Sequence, residues 1–108
     1  MDIPRIILQQ LGGNRFLAMT GASHLAGDEH SLYMHLPANG SKANRLTITL
    51  DPDDTYTMRF YRYTAPRLNR KTFSFSAEKT TEVKTFSGLF FDQLQEMFTD
   101  VTKMYTHL

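Results

Sequence analysis

Residues 46–50 read Leu-Thr-Ile-Thr-Leu, and after Asp51-Pro52-Asp53-Asp54 the alternation resumes, with Tyr56, Met58 and Phe60 set against Thr57, Arg59 and Tyr61. Successive side chains of an extended strand point to opposite faces, so this pattern makes one apolar face and one polar face. A helix of period 3.6 would smear the same residues around its whole circumference. Pro and clustered Asp supply turn chemistry between the two runs. The segment is therefore a β-hairpin. Its apolar face has to be covered by something else in the chain.

The ends supply the cover. Residues 3–11 fit a short helix: Asp2 caps it, Pro4 falls in the first turn, and Ile3, Ile6, Ile7 and Leu11 share a face. Gly12-Gly13 stops it. At the other end Phe90, Leu94, Met97, Phe98, Val101, Met104 and Leu108 recur at three- and four-residue spacing, widened by Phe91 and Tyr105. This spacing predicts an amphipathic helix over 88–106, with Ser87 as N-cap and Asp92 near its positive end. Between the helices the pattern predicts further strands. One covers Arg15 to Thr20, with apolar groups on both faces. A second alternates Leu32, Met34 and Leu36 with Tyr33 and His35. A third covers 70–77, with Phe73 and Phe75 inward and Thr72, Ser74 and Ser76 outward. Gly21 to Glu29 and Pro37 to Asn44 read as loops. Residues 78–85 are charged and read as a turn with room for a short edge strand.

The expected fold is α+β: an antiparallel sheet of four to five strands with the N- and C-terminal helices packed on one face. Tyr33, His35, Thr47, Thr49, Thr57, Arg59, Tyr61, Tyr63, Thr72, Ser74 and Ser76 would carry the other face. With 108 residues, no repeat, no linker and no low-complexity stretch, residues 1–108 read as a single domain.

Cysteine is absent, which removes disulfides, thiolate zinc sites and thiol catalysis and fits a reducing compartment. Asp2 and the Gln9-Gln10 pair interrupt what would otherwise resemble a leader, and no apolar run approaches the ~20 residues of a membrane span. A cytoplasmic location and no membrane partner are the expectations.

Candidate chemistry is sparse. His24, His30 and His35 lie close in sequence with Asp28 and Glu29 between them, and imidazole with carboxylate suits zinc or iron. The spacing matches no ligand pattern, and a polar loop entering a strand accounts for it equally well. Asp51, Asp53 and Asp54 offer hard oxygens, but the segment lacks the length and terminal Glu of a calcium loop. No serine sits in a nucleophile elbow, and neither Gly12-Gly13 nor Thr20-Gly21-Ala22 makes a phosphate loop. No residue set meets the geometric requirements of a catalytic site. The expectation is a non-enzyme with no cofactor and no metal.

The most informative stretch is 59–71, which holds Arg59, Arg62, Arg67, Arg70 and Lys71 with Tyr61 and Tyr63 interleaved, inside a run free of acid from Thr55 to Ala77. Arg and Tyr dominate protein–protein hot spots. Cations with aromatic rings also make single-strand nucleic-acid surfaces, although a formal net charge of +1 weakens the electrostatic case for a polyanion. A solvated sheet face with a basic loop is the plain structural account of the same residues. Arg59, Tyr61, Tyr63, Arg67, Arg70 and Lys71 are the candidate partner-binding residues.

Leu8 to Ala22, Leu46 to Phe60 and Leu94 to Leu108 together resemble a family of small uncharacterised proteins encoded by bacteriophages, prophages and related mobile elements. The resemblance implies a bacterial host cytoplasm and a protein that modulates host or phage machinery, anti-defence inhibitors included. It assigns no site residues. The expected function is binding of a host or phage protein through the sheet face and the basic loop. A small protein binding single-stranded DNA or RNA, and a virion structural component working through oligomerisation, are the alternatives. A homodimer is open.

Overall fold

The computed structural model describes residues 2–104. Helix α1 spans Ile3–Leu11, and the Asp2 side chain accepts the Arg5 backbone N–H at its start. Ile7 and Leu11 are fully buried. The chain then turns through Gly12 and Gly13, at φ of 125° and 60°, a region that side chains with a Cβ avoid.

The turn leads into a second helix, α2 (Asn14–Thr20), where the sequence pattern suggested a strand. Phe16 and Thr20, four residues apart, are its buried pair, and the Thr20 hydroxyl donates to the Phe16 carbonyl. Six residues with apolar groups on both faces have no decisive period. Arg, Leu, Ala and Met are good helix formers, and the glycine turn aims the segment at the core as a helix.

Five strands form the main sheet in the order β1 (Ser23–Gly27), β2 (Ser31–His35), β3 (Arg45–Leu50), β4 (Tyr56–Thr64) and β7 (Lys79–Leu89), each antiparallel to the next. The hairpin pairs Leu46 with Phe60 and Ile48 with Met58. Their apolar face, with Leu32 and Met34, is buried beneath α1, α2 and α3 (Leu94–Thr102). Phe98 lies edge-on to Phe16, with ring centroids 4.9 Å apart, and 6.4 Å from Phe60. The α+β architecture, with the terminal helices on one face of an antiparallel sheet, is as the sequence indicates.

Four further expectations are corrected. The stretch read as a loop at 21–29 contains β1, an exposed edge strand. The charged stretch 78–85 lies, from Lys79 on, within β7, an eleven-residue strand along the whole of β4. An edge strand tolerates charge on either side because neither side is fully covered. The expected strand at 70–77 shrinks to Ser74–Phe75 (β6), paired only with Leu68–Asn69 (β5) in a separate two-stranded arm. Phe73 and Phe75 are 83% and 71% exposed, the reverse of the expected core position, and Thr72, Ser74 and Ser76 are off the main sheet. Finally, Ser87 is inside β7 rather than at an N-cap, and a 3-10 turn (Phe91–Gln93) precedes α3. The Gln93 side chain accepts the Phe90 N–H at 2.8 Å, which fixes the entry and leaves Phe90 and Phe91 each 61% exposed. Leu94 and Phe98 are buried as expected, with Met97, Val101 and Met104 packed beside them. Lys103, at φ 62°, ends the helix. The expected contributions of Tyr105 and Leu108 lie outside the described residues. No helix among the described residues is long and apolar enough to cross a membrane.

Candidate interaction surface

The polar face of the sheet is built in rungs by strand register. One rung runs Tyr33, Thr47, Arg59, Thr85; the next runs His35, Arg45, Tyr61, Glu82. Alternation places Arg59, Tyr61 and Tyr63 on this face together, as the sequence parity indicates. The side chains satisfy one another. Arg59 forms an ion pair with Glu82 and lies over the Tyr61 ring, 4.3 Å from its centroid. Arg45 lies 5.3 Å over Tyr63, whose hydroxyl donates to Glu78 at 2.9 Å. Tyr33 donates to Asp28 at 2.7 Å. Asn44 continues the β3–β4 ladder with its side chain, donating to the Tyr63 carbonyl and accepting the Tyr63 N–H.

Titration directions follow from these partners. The hydrogen bond from Arg59 holds the Glu82 carboxyl below its ordinary range, and Glu82 in turn raises the guanidinium. Bonds to Glu78 and Asp28 raise the phenols of Tyr63 and Tyr33. The backbone N–H of His30, then the Tyr33 hydroxyl, lower Asp28. The face is a preformed, largely neutralised grid of rings and guanidinium groups, and its exposed ion pair adds little stability.

The other three candidates are elsewhere. Arg67, Arg70 and Lys71 belong to the arm, which leaves the end of β4 after Thr64 and returns at Lys79. Among the described residues none of the three forms a side-chain ion pair. The six candidates thus divide between a self-paired sheet face and an unpaired basic arm. Sequence reasoning missed the arm's aromatic share. Leu68, Phe73 and Phe75 are all exposed, and the strand-like alternation of Phe73, Ser74, Phe75 and Ser76 disguised the two phenylalanines as core. Pro66, with the polar Asn69 to Thr72 set between Leu68 and the Phe73–Ser76 alternation, was the available signal for an isolated hairpin.

His24 and His35 stack, with ring centroids 4.4 Å apart, while His30 is beside Glu29, facing the β3–β4 turn. Among the described residues no three potential ligands gather to hold a metal. Asp51 and Asp53 accept from Thr57 and from Thr55, hydrogen bonds that close the turn. No protein-family model, no curated protein and no solved structure matches this chain.

Proposed function

We propose that this chain is a non-enzymatic interaction protein of phage or mobile-element origin, acting in the cytoplasm of a bacterial host by binding another protein through its arm. The phage resemblance of its end segments and hairpin points to a host defence protein or a phage protein as the class of partner. One observation carries the reading: the arm holds Phe73 and Phe75 out in solvent beside Arg67, Arg70 and Lys71. Burying an aromatic side chain of this size recovers about 1.5–3 kcal/mol, and aromatic residues with Arg are the usual anchors of protein interfaces. The neighbouring sheet face, with Arg59, Tyr61 and Tyr63, would supply flatter flanking contacts.

A protein suits the site better than single-stranded nucleic acid. A polyanion running from the arm onto the sheet would meet Glu78 and Glu82, and Arg59 is already neutralised. A photo-crosslinking residue in place of Phe75, used in the host, should give a discrete protein adduct, while the same residue in place of Ala18, exposed on α2 in the helical layer, should not. Binding of single-stranded DNA or RNA below micromolar concentration at about 0.15 M salt, where surface charges are already strongly screened, and its loss in Arg67→Glu, would overturn the reading.

A further inference from the structure

The sheet has two chemically opposite ends. β4 runs from Tyr56, paired with Leu89, to Thr64, paired with Lys79. Its nine residues set the two ends about 30 Å apart, in a molecule whose longest extent is 50 Å. The arm projects from the Thr64 end with three cations and no acid in residues 65–77. The Tyr56 end carries Asp51, Asp53 and Asp54 in the β3–β4 turn and Asp92 after Leu89. No Lys or Arg occurs from Leu46 to Met58 or from Thr85 to Thr102.

The acidic end also has a hollow of about 420 Å3, with Ile3, Leu50 and Pro52 as its apolar surface, Asp51 and Asp54 as its acidic lip, and His30 and Thr49 completing the lining. A cavity of roughly 150 Å3 holds a benzene ring, so a phenyl group enters this one with space over. An apolar hollow with an acidic lip complements an arm that carries exposed phenylalanines next to Arg70 and Lys71.

We infer that the arm's partner includes a second copy of this chain, Phe73 and Phe75 of one copy seating at the acidic end of the next with Arg70 and Lys71 against Asp51 and Asp54. This inference rests on the arm being a protein-binding element. Because the arm and the hollow are at opposite ends, the contact is heterologous, and repetition closes a ring or extends a filament. Charges at the lip make the association fall as salt rises.

The test is sedimentation of the full chain from micromolar to high micromolar concentration, at low salt and at about 0.15 M. The expected result is a concentration-dependent series of species longer than a dimer, weaker at the higher salt. Two variants each destroy one end. Phe73→Ser with Phe75→Ser removes the plug from an arm that supports no part of the main sheet. Asp54→Lys reverses the lip, with Asp54→Asn as the version that keeps the turn if the first does not fold. Each alone should weaken self-association at least about tenfold, as loss of an anchor does. Mixed together they should form a one-to-one pair and stop there, since only one intact arm meets one intact hollow. A native chain that stays monomeric throughout, variants that associate as the native chain does, or a mixture that stays monomeric overturns the inference. A monomeric chain that still crosslinks to another protein through position 75 overturns self-association alone. A monomeric chain that takes up single-stranded DNA through the arm overturns both this inference and the protein-binding reading.

Discussion

Truncating Phe98 tests how the core is held. Its side chain has no exposed surface, and its ring sits edge-on to Phe16 at 4.9 Å and against Phe60 at 6.4 Å. It therefore joins α2, α3 and β4 at a single point. Phe98→Ala removes the buried ring and leaves a cavity that two other aromatic rings cannot fill without leaving their own contacts. The expected loss is about 3–5 kcal/mol, against a total stability of roughly 5–15 kcal/mol for a domain. Each kcal/mol moves the melting temperature by about 4–8 °C in domains of 60–100 residues, so the drop should exceed roughly 10 °C. Equilibrium urea unfolding and a thermal melt read it directly. Phe75→Ala is the internal control: its ring is 71% exposed, and such a substitution should stay within about 0.5 kcal/mol. A loss below about 1 kcal/mol for Phe98→Ala, or a larger loss for Phe75→Ala than for Phe98→Ala, would refute the placement of α3 and of the arm together.

Asn44→Ala should cost about 1–3 kcal/mol, because it strips the Tyr63 backbone of both side-chain hydrogen bonds; amide exchange at Tyr63 should quicken, and unchanged exchange there would refute the role. Burial first, then Arg45 and His24, push the His35 imidazole below its ordinary value near 6.5. The unfolded chain therefore binds this proton more readily, and stability is full above about 6.5, falls as pH drops through the folded value and then levels. His35→Gln should flatten that slope in urea titrations across the window, and an unaltered slope would remove His35 as its source. A chelator should leave the melting temperature unchanged and elemental analysis should find no stoichiometric zinc. One zinc per chain would promote His24, His30 and His35 to ligands.

The hairpin Leu46–Phe60, the cap on α1 and the apolar stripe at Leu94 and Phe98 were legible in the sequence because each is a local, periodic property. Alternation fixes which face a residue takes once it is in a strand, so Arg59, Tyr61 and Tyr63 fell on one face without knowledge of the fold. Sequence could not tell whether those groups were free. Their neutralisation depends on Glu82 in β7 and Glu78 just before it, more than a dozen residues further along.

The arm shows the same limit most sharply. Phe73-Ser74-Phe75-Ser76 alternates as Leu46-Thr47-Ile48-Thr49 does, and local pattern gives the two equal claim to a place in the sheet. β3 already occupies one side of β4, which leaves room for a single further partner. Lys79–Leu89 takes that position as an eleven-residue strand paired along the whole of β4 from Tyr56 to Thr64, a longer ladder than residues 70–77 could form. Alternation is written locally and decides which residues share a face. Competition for one strand edge is settled only by the whole chain, and that competition pushed Phe73 and Phe75 out of the core and made the arm.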